Sequence, residues 1–305
     1  MRIVAALGGN ALLRRGQPPG AEVQRLNMRS AARSIAGLAT ETTQLVVTHG
    51  NGPQVGLLAL QTMAYSPAGP YPLDILGAES EGMIGYLIEQ ELAPLVRGRD
   101  VVTLLTQTEI DPADPAFAVP SKPIGPVYDE ETGRRMARDF GWALMRDGAG
   151  WRRAVASPAP RRVRELAAIR LLLGAGAVVI CAGGGGIPVV AAADGSLRGV
   201  EAVVDKDATS ALLAEELGAD LLLLLTDVDA AYRDWGTAAA QPIRRASPAQ
   251  LATLDFAAGS MRPKIEAACR FVSHTGRRAA IGSLNDATAL AAGAAGTQIA
   301  AEFPE

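Results

Sequence analysis

Short apolar runs alternate with segments of helical spacing along almost the whole chain. The runs fall at Ile3–Leu7, Gln44–Thr48, Val101–Thr106, Ala177–Ala182, Leu221–Thr226 and Arg278–Ile281, each of strand length. Between the first two, Glu22–Leu38 places its apolar residues at helical intervals. Pro53–Met63 reads as a helix opened by a loop, and Leu73–Leu92 as a longer one. Strands and helices alternating in this way predict an α/β fold: a mainly parallel central sheet covered on both faces, a three-layer αβα sandwich.

Residues Asp111 to Arg162 break the rhythm. The phrases "DPADPAFAVPSKPIGP" and "SPAPRR" hold too many prolines to extend central strands. Phe117, Tyr128, Phe140 and Trp142 give the stretch apolar material of its own, so it reads as a small protruding lid subdomain rather than a linker. The chain then divides into an N-terminal half, 1–165, carrying the lid at about 111–162, and a C-terminal half, 166–305.

Three of the strands end in the turns "LGGN", "THGNGP" and "CAGGGGIP". In open α/β sheets ligands bind beyond the carboxyl ends of the strands, so the three turns point to one crevice. Gly8 and Gly9 could close backbone N–H groups around an anion, yet no lysine follows them and neither common glycine-rich phosphate pattern is met. A neutralising cation must come from elsewhere. Gly50, Asn51 and Gly52 lie between a strand and a helix, with Pro53 in its first turn: an oxyanion cradle or a plain tight turn. His49, beside them, reads as a hydrogen-bonded structural residue. Four successive glycines, 183–186, suit either close approach of backbone to a ligand or a hinge between the halves.

Two further lysines stand out. Lys206 lies between Asp205 and Asp207 where an amphipathic helix begins, which is a solvated ion pair with a capping acid or part of a site. Lys264 falls in the first turn of a helix that Pro263 opens. Cations are disfavoured there by the helix dipole, so its position suggests an anion sharing the site.

Composition narrows the class. A chain of 305 residues with 49% apolar residues buries a large core without staples. Its two cysteines, Cys181 and Cys269, read as reduced core residues. The net charge of −3 argues against general nucleic-acid binding, and the arginines near the lid read as a solvated or subunit-facing surface. The two histidines are far apart, so no histidine-rich metal site is expected. The start "MRIVAAL" is too short for a signal peptide and no apolar run approaches membrane-spanning length, which makes a cytoplasmic enzyme the expectation.

The phrases "ALGGNAL", "THGNGPQVG", "LGAESEGMIGY", "DPADPAF", "SKPIGP", "GWRRAVASPAP", "CAGGGGIPVV", "GVEAVVDKD", "LLTDVD" and "GSMRPKIEAA" run in order from Leu7 to Ala268. Together they resemble the carbamate kinases, within the amino acid kinase family. Many relatives in that family carry a lysine two residues before the glycine pair; here Ala6 stands there. The resemblance implies that Lys122 of "SKPIGP" takes over that lysine's place from the lid, joined by Lys206 and Lys264, with Asp207 orienting them. It implies that Gly8, Gly9, Asn10, Gly50, Asn51, Gly52, Gly184 and Gly185 face the small acid and the phosphoryl group. Thr226, Asp227, Val228 and Tyr232, with Gly259, Ser260, Met261 and Pro263, would hold the nucleotide.

The implied reaction is reversible phosphoryl transfer from ATP to carbamate, giving ADP and carbamoyl phosphate, and used to make ATP in arginine catabolism. Magnesium would travel with ATP or ADP and be held mainly through the phosphates, with no dedicated protein cage. The partners implied are small molecules and a second copy of the chain in a homodimer, with no nucleic acid and no membrane. Two rivals stand beside this reading: a sister kinase for another small acid, and a catalytically silent nucleotide-binding sensor.

Overall fold

The computed structural model describes all residues except 10–12, 14–16, 18–19, 66–68, 258–260 and 304–305. Asn10, Gly259 and Ser260 therefore lie outside the described residues. The first part of the chain forms β1 (Arg2–Leu7), α1 (Ala21–Ala36), β2 (Gln44–His49), α2 (Gly52–Tyr65), α3 (Leu73–Leu92) and β3 (Val101–Thr103). Then come β4 (Gln107–Ile110), β5 (Lys122–Tyr128), α4 (Glu130–Phe140), β6 (Ala143–Asp147), β7 (Gly150–Val155) and β8 (Pro160–Val163). The remainder opens with α5 (Leu166–Gly174), β9 (Val178–Ile180), β10 (Ile187–Ala191), β11 (Leu197–Gly199), α6 (Lys206–Leu217) and β12 (Leu221–Thr226). It closes with β13 (Ala231–Arg233), β14 (Gln241–Ile243), β15 (Arg245–Ala246), α7 (Pro248–Leu251), α8 (Met261–Thr275), β16 (Arg278–Ser283), α9 (Ala287–Ala291) and β17 (Thr297–Ile299).

One sheet runs β15-β17-β16-β12-β1-β2-β9-β3, and among its pairings only β16 with β17 is antiparallel. Alternation of side chains sorts its residues between two cores. Val4, Ala6, Leu222 and Leu224 pack with α5, α6 and α8; Ile3, Ala5, Leu7, Leu221, Leu223 and Leu225 pack with α1, α3 and α9. That double burial is why the Leu221–Leu225 run is continuously apolar. Cys181 is fully buried in the first core, whereas Cys269 is only half-buried at its rim; both are free thiols.

The expected strand over Val101–Thr106 is corrected. It stops at Thr103, and β4 joins a separate sheet ordered β11-β10-β4-β8. The Thr106 hydroxyl explains the break: it donates to Leu104 O and accepts from Ala182 N–H (2.9 and 3.0 Å), turning the chain toward the glycine loop. The proline-rich stretch does contain strands. β5, with Pro123 and Pro126, forms the edge of the sheet β5-β7-β6, where a missing N–H is tolerated. That small sheet rests on the body through Ile124 and Val155 against Val55, Leu73 and Leu76.

Candidate active site

The carboxyl ends of β1, β2, β9 and β12 lie side by side because those strands are parallel neighbours. Gly8 N–H donates to Leu225 O (2.9 Å), which sets the first glycine turn against the start of the "TDVD" segment. A Cβ on Gly50 would lie 3.1 Å from Gly9 Cα and 3.5 Å from Lys206 Cδ. A Cβ on Gly184 would meet Asn51 Nδ2 at 2.0 Å, and one on Gly185 would meet Val204 O at 2.4 Å. Gly8, Gly9, Gly50, Asn51, Gly184 and Gly185 thus wall one crevice, with no room for a side chain at Gly8, Gly50, Gly184 or Gly185 and open space beside Gly9. Gly52 does not join them; it opens α2 and is exposed.

Strain and hydrogen bonds fix the wall. Ala182, Gly184, Gly185 and Gly186 all have positive φ (51, 65, 95 and 81°), a conformation glycine adopts freely and Ala182 only at a cost. The loop is pinned from three elements. The Thr108 and Thr209 hydroxyls donate to Gly185 O (2.8 and 2.9 Å), and Gly183 N–H donates to Glu81 Oε1 (2.8 Å). Glu81 Oε2 accepts from Thr106 N–H (3.2 Å). Burial pushes the Glu81 carboxyl up to about 8, against the pull of those two N–H donors.

His49 faces the same loop: a Cβ on Gly183 would come within 2.5 Å of its Nε2. Its Nδ1 donates to Gly50 O (3.0 Å), and its buried Nε2 has no partner among the described residues. Burial lowers its pKa to about 4, with Lys206 helping and the Gly50 carbonyl opposing. A neutral ring wedged under a glycine is a structural part, in keeping with the expectation. Asn51 donates from Nδ2 to Ser80 Oγ (2.9 Å), which itself donates to Gly77 O (2.8 Å).

The charged groups meet at the start of α6. Asp205 is its N-cap, and Ser210 Oγ donates to Lys206 O (2.6 Å) while contacting Thr48 Oγ1 of β2 (2.6 Å), which moors the helix to the sheet. Lys206 Nζ pairs with Asp207 Oδ1, and Lys264 Nζ with Asp207 Oδ2 (3.1 Å). One carboxylate of 5% side-chain exposure therefore holds two ammoniums, one from α6 and one from the first turn of α8. Burial and the Lys264 charge draw the Lys206 ammonium below the usual range, with Asp207 resisting. Lys122 Nζ, from β5, sits 2.5 Å from Asp205 Oδ2. The three lysines and Asp207 singled out by sequence are thus assembled beside the glycine wall.

The proposed nucleotide residues divide. Thr226 ends β12 next to Gly8, and its hydroxyl donates to Asp227 Oδ1 (3.1 Å). Val228 follows in the turn, and Met261 and Pro263 lie in the first turn of α8 with Lys264. The Tyr232 hydroxyl donates to Asp229 Oδ1 (2.7 Å) and not to the lysine cluster. Sequence reasoning left Asp205 open between a cap and part of a site, gave it no partner in Lys122, and assigned no role to Glu81, Ser80 or Thr106. A signal for Glu81 existed: it interrupts the buried stripe Leu76, Ile84, Leu87, Ile88 of α3 with an acid.

The description of the amino acid kinase family matches residues 1–283. The chain is 54% identical to the carbamate kinase of Rhizobium meliloti (strain 1021), covering 100% of this chain and 95% of that one. It is 53% identical to the carbamate kinase of Haemophilus influenzae, covering 98% and 96%. The solved carbamate kinase from Giardia lamblia bound to AMP-PNP superposes with a TM-score of 0.89 at 38% identity, covering 98% of each chain. A lysine–carboxylate cluster on a glycine-walled crevice, in a parallel sheet with these likenesses over its full length, places the chain in the amino acid kinase family.

Proposed function

We infer that the protein is a carbamate kinase, catalysing reversible phosphoryl transfer between ATP with carbamate and ADP with carbamoyl phosphate. The observation that carries this reading is the cluster of Lys206 and Lys264 on Asp207, with Lys122 on Asp205, at the glycine wall. Phosphoryl transfer asks little covalent chemistry of a protein; it needs in-line positioning and positive charge around the migrating group. An ammonium about 4 Å from a phosphate oxygen interacts by roughly 4 kcal/mol at an effective dielectric near 20. Only the part of that interaction that grows toward the transition state raises the rate.

In this reading Lys206 and Lys264 hold the transferring phosphoryl group and Asp207 keeps them oriented. Lys122 closes on it from the small sheet, and Gly8, Gly9, Gly50, Gly184 and Gly185 offer backbone at close range. Asn51 faces the small acid. Thr226, Asp227, Val228 and the first turn of α8 border the nucleotide. The subdomain of about residues 111–162, built around the small sheet, acts as the lid, and residues 166–305 as the nucleotide-binding half.

Magnesium fits as a passenger of the nucleotide. Both Asp207 oxygens are taken by ammoniums, which leaves the nucleotide phosphates as the ion's natural ligands. The ion would supply further charge neutralisation on the phosphates.

A homodimer is the assembly we propose. Ile75 and Tyr86 are exposed on one side of α3, and Leu105, also exposed, lies 3.7 Å from where a Gly82 Cβ would stand between them. Exposed apolar side chains of this kind, here with the exposed Glu79 beside them, are what a two-fold interface covers. No helix among the described residues is long and apolar enough to cross a membrane. Two unpaired thiols suit a reducing compartment, so the cytoplasm is the proposed location.

One assay tests the activity: purified protein with ADP, magnesium and carbamoyl phosphate, scored for ATP. ATP formation is expected. ADP bound tightly with no ATP formed would leave a silent nucleotide-binding protein, and ATP formed only from another acyl phosphate would leave a sister kinase.

A further inference from the structure

Asp205 divides its two carboxylate oxygens between separate tasks. Oδ1 accepts from the N–H groups of Asp207 and Ala208 (2.9 and 3.2 Å) and so caps α6. Oδ2 accepts from Lys122 Nζ at 2.5 Å, across 83 residues of sequence. A helix cap needs only one of these oxygens, and many caps are uncharged serines or asparagines. The second oxygen and the negative charge therefore ask for another explanation.

Lys122 also sits where a cation should not settle unaided. The amino end of α6 carries the positive pole of the helix, and Lys206 adds a full charge next to it. Three ammoniums and two carboxylates leave the cluster with one net positive charge before any phosphate arrives. Asp207 already serves two lysines, so Asp205 is the counter-charge that lets the third approach. The side chains of Lys122 and Asp205 are 33% and 23% exposed, so solvent screens the pair, and what it restrains is the seating of the small sheet rather than global folding. Its value lies in where it holds the lysine. An ammonium has three donors, and one spent on Asp205 leaves two for phosphoryl oxygens.

We propose that Asp205 is a positioning residue for phosphoryl transfer, docking the Lys122 ammonium of the small sheet beside the Lys206–Asp207–Lys264 cluster. The proposal rests on the kinase reading for the reaction served, while the docking itself is a separate claim about the chain. Burial acts to raise the Asp205 carboxyl, but Lys122, ahead of Lys206 and the Ala208 N–H, overrides it and brings it to about 2. Asp205 thus stays ionised throughout the working pH range.

Asp205→Asn is the informative variant, because its side-chain oxygen can keep the cap while the charge is lost. In the ATP-forming assay with magnesium, kcat is expected to fall about tenfold or more, with KM for ADP within about threefold of the parent. Lys122→Ala should slow the enzyme as well, and the double variant should be no slower than Lys122→Ala alone, since both changes remove one interaction. ADP titration of each variant confirms that the protein is folded. A kcat within about twofold of the parent, or losses that multiply in the double variant, would overturn the proposal.

Limited trypsin digestion supplies an arm that does not depend on activity. Cleavage at the exposed arginines of α4 (Arg134, Arg135) is expected to be faster in Asp205→Asn than in the parent. Equal cleavage rates would overturn the docking. A parent that binds ADP but forms no ATP would overturn the kinase reading alone, and the digestion would still judge the docking.

Discussion

Two ammoniums on one nearly buried carboxylate make Asp207 the pivot of the crevice, and each lysine's worth can be read from what its loss leaves behind. Removing Lys264 leaves Asp207 paired with Lys206, so the site stays assembled but has one charge less for the migrating group. Lys264→Ala should lower kcat roughly 30- to 150-fold, the equivalent of about 2–3 kcal/mol, with ADP affinity within about tenfold. Steady-state kinetics and ADP titration measure the two quantities, and unchanged turnover would remove Lys264 from the mechanism.

His49 and Glu81, on either side of Gly183, make a residue-scale prediction about pH. His49 has a folded pKa of about 4 against 6.5, so the unfolded chain binds more protons between those values and stability rises with pH there. The gain amounts to about 3 kcal/mol. Glu81 has a folded pKa of about 8 against 4.5, so the folded chain binds more protons and stability falls as pH rises through that window. The two oppose each other between pH 4.5 and 6.5. Over that interval the melting temperature of His49→Gln should fall with rising pH relative to the parent, and that of Glu81→Gln should rise. Parallel profiles for all three proteins would refute the assignment.

At the scale of elements, the glycine loop between β9 and β10 is where conformation and site coincide. Gly184 has φ of 65° and stands where a methyl group would lie 2.0 Å from the Asn51 amide. Gly184→Ala therefore meets two costs, about 1–2 kcal/mol for the left-handed backbone and a displaced Asn51. It should raise KM for carbamoyl phosphate at least about tenfold while leaving ADP binding near the parent value. An unaltered KM would mean that Asn51 and Gly184 do not face the small acid. Elements also differ in how far local pattern foretold them. The Leu221–Leu225 strand and the Leu73–Leu92 helix were legible because burial on two faces and on one stripe leaves continuous and periodic traces. The sheet of β4, β8, β10 and β11 was not, since its short strands carry prolines and polar residues and are defined by their pairing partners.

For the whole molecule, the exposed patch around Gly82 sets the test of assembly. Replacing Tyr86 by Glu and Ile75 by Asp puts charge into a surface that a two-fold partner would cover, at a cost of several kcal/mol if that surface is buried. Sedimentation should find dimers in the parent and monomers in the double variant; an unchanged mass in the variant would move the interface elsewhere. The sequence by itself determined the αβα layering, the glycine turns at strand ends and the identity of the chemical groups, because each leaves its mark within a few consecutive residues. Only the tertiary structure decided which carboxylate serves which lysine. Lys264 meets Asp207 across 57 residues and Lys122 meets Asp205 across 83, distances along the chain that are closed by sheet order and helix packing rather than by any local pattern.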